Sequence, residues 1–232
     1  MALKPSIIVL TEYVVKDGDQ QHADLCDCLE TAGFNYKLSD AITGNRVLIA
    51  SNMQMHRGST AAPPSIPFAA ANYLHVNMPT LDIVGLRVPF FDNSKTWKDA
   101  KSAYDQWFET NIKLLLALDK PLIAIGPLSY INPERLDDSY NATLFRDVID
   151  AGWLISDCPK EQSSWWPEKK ASHTPDETPL KPSRLDFALV SPHHKILSAN
   201  YAESAGGYRL GGWRTPERLS DHAALVLDFE LK

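Results

Sequence analysis

Four things are scarce in this chain, and each scarcity excludes something. There is no run of about 18 apolar residues, so no membrane-spanning helix is expected. There is no internal repeat and no low-complexity tract, which sets aside solenoids and arrays. Cysteine is sparse: Cys26, Cys28 and Cys158 are the only three, and they cannot all pair within the chain. Cys26-Asp27-Cys28 also lacks the second cysteine pair that a zinc site needs. A reducing, cytoplasmic setting is expected, and Met1-Ala2-Leu3-Lys4-Pro5 carries no signal-peptide pattern. Positive charge is in deficit, with 23 Lys and Arg against 29 Asp and Glu and a net charge of -6. Bulk charge therefore gives no non-specific grip on nucleic acid, and only a local basic patch would supply one.

What is present suits one large soluble domain covering residues 1–232, with 44% hydrophobic and 22% charged residues. Short β-branched apolar runs predict strands over Ser6–Thr11, ending at Glu12, and over Arg46–Ser51, Leu81–Val88, Pro121–Gly126, Leu185–Ser191 and Ala223–Leu231. Tyr73–Met78 alternates, which predicts a strand with one wet face. Helical spacing predicts a helix near Asp19–Ala32, with Leu25, Cys28, Leu29 and Ala32 on one face and Gly33 as its stop. Two more are predicted at about Thr96–Leu118 and Ala142–Ala151. Gln162–Pro182 is rich in Pro, Ser, Thr, Lys and Glu and reads as a long exposed loop. A Gly-rich, aromatic loop runs from Gly206 to Trp213. Many short strands with few helices between them predict two packed sheets with helices outside.

The chemistry gathers at strand ends. Glu12, Arg87, Asp186 and the Asp221-His222 pair all stand there, and rigid strand ends are where reactive side chains are usually held. An Asp inside an apolar strand is costly unless paired, and His222 is the candidate partner for Asp186. Such a pair orients an imidazole and stabilises its charged form. A strand-end Glu is a good ligand for Mg²⁺, which prefers carboxylate oxygens and keeps several waters. Together they suit metal-assisted attack of water on a phosphodiester.

At these residues the sequence resembles the endonuclease/exonuclease/phosphatase superfamily. Pro5-Ser6-Ile7-Ile8-Val9-Leu10-Thr11-Glu12 is similar to the family strand that ends in a metal-binding Glu. Arg87-Val88-Pro89 falls where a Tyr, His or Arg faces the phosphate. Arg184-Leu185-Asp186-Phe187 resembles the motif whose Asp orients the catalytic His, and Ser220-Asp221-His222 the motif that supplies it. The order and spacing match over nearly the whole chain. The resemblance implies an α/β four-layer sandwich of two mostly antiparallel sheets flanked by helices. It implies a phosphodiester hydrolase using Mg²⁺ or Mn²⁺, with a phosphodiester substrate, nucleic acid among the options. Glu12 would hold the metal, His222 and Asp186 would act at the phosphate, and Arg87 would stabilise developing charge.

Three departures accompany the match. The family opens with a strand bearing an Asn, 25 to 30 residues before the Glu; here eleven residues precede Glu12, so that strand is expected to be missing. The family's Gly-Asp-x-Asn motif reads Gly126-Pro127-Leu128-Ser129 here. Proline offers no acid, base or backbone N–H, and losing one transition-state contact can cost about 10²–10³ in rate. The departures imply an impaired hydrolase or, alternatively, a catalytically silent member used for binding. A third reading is a chain whose natural start lies upstream. A sheet deprived of a strand exposes backbone donors and acceptors. The edge at Ile7–Leu10 is therefore expected to be covered by the N-terminal residues, a partner or self-association.

Each assignment has a plainer reading. Glu12 alone is a surface charge, Arg87 a structural ion-pair partner, and His222 a hydrogen-bonded structural histidine. Asp221 reads more readily as the cap of the turn before the last strand, though it and Asn93 also stand near the cleft. Trp165, Trp166 and Trp213 read as core or rim aromatics, and Lys169, Lys170, Lys181 and Arg184 as a solvated charge run.

Overall fold

The computed structural model describes residues 3–15, 20–39, 44–60, 72–87, 97–128, 146–166, 182–212 and 219–232. Its strands and helices alternate as β1 (Ile7–Val15), α1 (Gln20–Thr31), β2 (Tyr36–Ser39), β3 (Gly44–Ser51), β4 (His56–Arg57), β5 (Tyr73–Asn77) and β6 (Asp82–Leu86). Then come α2 (Trp97–Leu116), β7 (Leu122–Pro127), β8 (Leu154–Ile155), β9 (Asp186–Val190), β10 (His194–Ala202), β11 (Ser204–Ala205), β12 (Tyr208–Arg209) and β13 (Ala224–Leu231).

One sheet has six strands in the order β4-β5-β6-β7-β9-β8. Among the described residues only β6 and β7 pair in parallel, and α2 supplies the crossover that a parallel pair requires. The facing layer is made of two pieces, β1-β3-β2 and β10-β13. Strand alternation sorts the side chains between layers. On β6, β7 and β9 one face carries Val84, Leu86, Leu122, Ala124, Phe187 and Leu189, which pack with Trp107, Ile112 and Leu115 of α2. The other face carries Ile83, Ile123, Ala188 and Val190, which meet Val47 and Ile49 of β3 between the sheets. On the far side of β3, Leu48 and Ala50 pack with Leu29 and Phe34 under α1. The order α1, sheet, sheet, α2 is a four-layer α/β sandwich. Each fully buried Leu, Ile or Phe contributes about 1.5–3 kcal/mol.

Helix α1 ends as its glycine predicts. Gly33 takes φ 93°, its N–H donates to Glu30 O, and the Phe34 N–H reaches back to Leu29 O, both at 2.9 Å. Phe34 and Leu29 are buried against each other, which completes a Schellman stop.

Several expectations are corrected. The first strand does not end at Glu12: it bulges there and runs on to Val15. Strand β5 has no wet face, because the six-stranded sheet is covered on both sides. On α1, Cys28 and Ala32 are exposed, and Leu25 and Cys26 share the half-buried side near Leu29. Strands β2 and β10 were not read from the sequence. The predicted loop from Gln162 begins with buried Ser164 and Trp166; residues 167–181 lie outside the described residues, as do 142–145 of the third helix, whose residues 146–150 are helical. The N-terminal residues Leu3–Ser6 are exposed and form no strand, so they do not cover the edge of β1.

Candidate functional site

Alternation places the polar residues as it places the core. On β6, Ile83 and Gly85 face the opposite sheet, and Arg87, two residues on, continues that row. On β9, Ala188 and Val190 face the same way, and so does Asp186. On β7 the row is Ile123, Ile125 and Pro127, and Pro127 lies directly across from Asp186 in the ladder. Gly85 pairs with Ile125, so Pro127 falls between Arg87 and Asp186 at one end of the sheet.

The opposite sheet brings the other two residues. Ile8 and Leu10 of β1 pack under α1, and strict alternation would send Glu12 the same way. The bulge between Thr11 and Tyr13 breaks the alternation. Glu12 adopts φ 61° there, a left-handed conformation that a non-glycine residue takes at a cost of about 1–3 kcal/mol. Bulges re-aim side chains in this way. The Glu12 carboxylate accepts a charge-assisted hydrogen bond from Arg87 Nε. The Arg87 backbone N–H donates to Asn72 O at 2.9 Å, and its Nη1 lies 3.4 Å from Asn72 Oδ1.

His222 sits just before β13. Its Nδ1 is 2.8 Å from Asp186 Oδ2. A short segment clamps the two together. The Ser164 and Trp165 N–H groups both donate to Ser183 O at 3.0 Å, and Ser164 O accepts from the Ala223 N–H at 2.8 Å. Ser164 Oγ accepts from the N–H groups of Leu185 and Asp186, at 2.7 and 3.1 Å. Trp165 Nε1 donates to Asp221 Oδ2 at 3.2 Å, so Asp221 is tied to the clamp and is not part of the His222–Asp186 pair. Behind the pair, Tyr201 OH donates to Asp186 O.

Two glycines give the site room. A Cβ at Gly126 would lie 1.8 Å from Leu86 O, and one at Gly211 would lie 2.6–2.7 Å from the backbone between His222 and Ala223. Neither position accepts a side chain without moving Arg87 or His222.

Electrostatics follow from the geometry. Burial works against charge on His222. The hydrogen bond and charge of Asp186, with Asp221 and Glu12 at longer range, outweigh it and raise the imidazole pKa above its ordinary 6.5. Among the described residues its Nε2 makes no hydrogen bond, which leaves one N–H of the imidazolium free for a ligand.

No protein-family model and no curated protein sequence matches this chain. Solved structures do. A Neisseria 3' phosphatase, NExo, bound to a product DNA hairpin superposes with a TM-score of 0.68 at 18% identity, over 97% of this chain and 89% of that one. An AP endonuclease from Archaeoglobus fulgidus gives 0.68 at 17% identity, over 98% and 90%. The chain has the endonuclease/exonuclease/phosphatase fold. An endonuclease/exonuclease/phosphatase protein from Beutenbergia cavernae DSM 12333 gives 0.60 at 16% identity, covering 98% of this chain and 63% of that one. These identities speak for the fold alone.

On this endonuclease/exonuclease/phosphatase frame, Glu12, Arg87, Asp186 and His222 meet at one end of the sandwich, with Pro127 among them. Asn93 and Ser129 lie outside the described residues. The sequence reading missed Ser164, Asn72 and Gly211. Only the glycine left a signal, as part of an unexplained Gly-rich loop. Among the described residues no group of three His, Cys, Asp or Glu side chains is arranged to hold a metal. Glu12, whose side chain is 38% exposed beside Arg87, is a carboxylate of this cleft whose oxygens suit a hard cation such as Mg²⁺.

Proposed function

We propose that this chain is a phosphodiester hydrolase of nuclease type with an impaired centre. The observation that carries the reading is the His222–Asp186 pair and the Glu12–Arg87 pair brought to one strand-end cleft. A protonated His222, oriented through Nδ1 by Asp186, donates from Nε2 to a phosphoryl oxygen. Arg87 supplies a second positive charge to the same anion, shared with Glu12. Both are groups aimed at charge that grows in the transition state. A divalent ion on Glu12 would supply further neutralisation of the phosphoryl oxygens. DNA ends and abasic sites are the substrates to try first, because two structures of the same fold are a 3' phosphatase and an AP endonuclease.

The impairment rests on Pro127. It occupies the row between Arg87 and Asp186, where a side chain able to orient or deprotonate water would stand, and it does neither. General base catalysis typically contributes about 10²–10⁴. The same observation favours a second reading, a silent copy that binds phosphate-bearing ligands without turning them over.

The test uses bis(p-nitrophenyl) phosphate and 3'-phosphorylated DNA with Mg²⁺ or Mn²⁺. The hydrolase reading expects slow metal-dependent turnover that Glu12→Gln and His222→Ala abolish. Turnover equal in both variants would sink it. Pro127→Asp should raise the rate, by about 10² if general base catalysis is what the site lacks. A wild-type protein with no turnover, rescued by that change, would establish the silent copy.

A further inference from the structure

The strand that carries Asp186 leaves its outer neighbour before it reaches the site. On the side of β9 away from β7, β8 pairs with Leu189 and Val190 and ends at Ile155. Serine hydroxyls continue that edge. The Ser156 N–H donates to Ala188 O at 2.8 Å, and Ser156 Oγ accepts from the Ala188 N–H at 2.9 Å. Two residues nearer the site, Ser164 Oγ accepts from the Asp186 N–H at 3.1 Å and from the Leu185 N–H at 2.7 Å. Two consecutive N–H groups held by one oxygen fix the backbone where Asp186 begins the strand, and with it the direction of the Asp186 side chain. Ser164 also holds the other partner. Its carbonyl accepts from the Ala223 N–H at 2.8 Å, and the Trp166 N–H donates to Asp221 O at 3.0 Å. His222 is therefore bonded on both sides by residues 164–166, and it faces Trp165 in an antiparallel bridge. Ser164 itself is fully buried.

We propose that Ser164 is a positioning residue, whose hydroxyl sets the aim of the Asp186 carboxylate on His222 Nδ1. That this aim matters for phosphate chemistry rests on the hydrolase reading; the positioning does not. Ser156 provides the comparison within the same strand. Both hydroxyls are buried acceptors on one edge of β9, but Ser156 meets Ala188, whose side chain is apolar, whereas Ser164 meets Asp186 itself. Losing either hydroxyl leaves a buried N–H without its acceptor and costs stability. Only the loss at 164 frees the carboxylate to shift, and a displacement of about 1 Å at a reacting group can cost on the order of 10² in rate. Burial opposes charge on the imidazole, while Asp186 on β9, Asp221 beside it in the chain and Glu12 on β1 favour it; Arg87 on β6 is held by Glu12. Of these carboxylates Asp186 is the one hydrogen-bonded to the ring, so a shifted Asp186 weakens the main pull toward the protonated form.

The experiment is a titration of the His222 imidazole in the full chain by NMR, with its ring signal assigned by its loss in His222→Ala. Ser164→Ala should bring the imidazole pKa down from its raised value toward 6.5. Ser156→Ala should lower Tm and leave that pKa where it is in the unaltered chain. Where Ser164→Ala does not fold, Ser164→Cys keeps the volume, offers only a weak sulfur acceptor and should move the pKa in the same direction. An unchanged imidazole pKa in the folded Ser164 variant, or an equal movement in Ser156→Ala, would overturn the proposal and leave Ser164 as a structural support alone. The titration needs no turnover, so a chain that hydrolyses nothing sinks the hydrolase reading and still decides this one. In a chain that does hydrolyse phosphodiesters, Ser164→Ala should also move the alkaline limb of the pH–rate profile to lower pH, and Ser156→Ala should not.

Discussion

The same six-stranded sheet carries two histidine–carboxylate pairs, and they are built for opposite purposes. His75 and Asp82 stand on the face toward α2, in one row with Tyr73 and Val84; His222 and Asp186 meet on the face between the sheets. His75 Nε2 lies 3.0 Å from Asp82 Oδ2, and its Nδ1 accepts from the Thr60 N–H at 3.2 Å. Both ring nitrogens are used, and the tautomer is fixed as neutral with the proton on Nε2. Asp82 is further held by Asn77 Nδ2 at 2.7 Å and by Lys120. The His75 side chain is 0% exposed and that of His222 is 21%. Burial pushes the His75 pKa down, against the pull of Asp82, whereas His222 is pushed up. A closed, fully bonded pair stabilises the fold. A pair with one nitrogen unbonded and some exposure is available to a ligand. Pairing alone therefore does not separate the two, and neither does an unused nitrogen by itself, since His194 Nε2 also lacks a partner inside the protein; the carboxylate partner, the unbonded nitrogen and the exposure together do.

The sharpest way to break this contrast is a pair of deletions. His222→Ala should reduce phosphodiester turnover by about 10²–10³. It should also cost stability, because the buried Asp186 carboxylate loses its His222 partner. His75→Ala should cost stability without lowering turnover. It leaves Asp82 inside the protein with a lost partner and opens a cavity, at about 3 kcal/mol. That corresponds to a fall of roughly 6–12 °C in Tm for a chain of this size. Rate per folded molecule, measured at a temperature where both variants are folded, should be unchanged in His75→Ala. If it falls as far as in His222→Ala, the two pairs are not distinct.

Much of this was legible before the structure because strands advertise themselves. Apolar β-branched runs gave β1, β3, β6, β7, β9 and β13, and a lone Asp within one of them had to have a partner. Strand β10 was not legible: His194-Lys195-Ile196-Leu197-Ser198-Ala199-Asn200 mixes polar and apolar residues because only His194 and Tyr201 of the strand are buried. Glu12 was read as a strand end because alternation stops there; a bulge also stops alternation, and one sequence does not separate the two. The 164–166 clamp was illegible for a different reason. Its contribution comes from backbone groups and one serine hydroxyl, which leave no pattern in composition. Pro127 was read as a departure from a motif, but that it lies across from Asp186 needed the register.

A smaller but cleaner test of the comparison is pH. His222 has a raised folded pKa, so the stability from its ion pair is complete below its ordinary value of 6.5 and is lost as pH rises through the raised value. His75 has a lowered folded pKa. Its contribution is complete above 6.5 and is lost as pH falls toward the lowered value, because the unfolded chain takes up the proton first. The Tm gap between wild type and His222→Ala should therefore be wider at pH 6 than at pH 8.5, and the gap for His75→Ala wider at pH 8.5 than at pH 6. The differences are expected to be about a few degrees. Turnover adds a readout that stability does not share. Asp186→Asn removes the charge that raises the imidazole pKa, so the alkaline limb of the pH–rate profile should move to lower pH. Asp82→Asn should leave that limb in place. A limb that moves equally in both variants would mean that the two carboxylates act on a common group, and the division between a structural and a functional pair would fail.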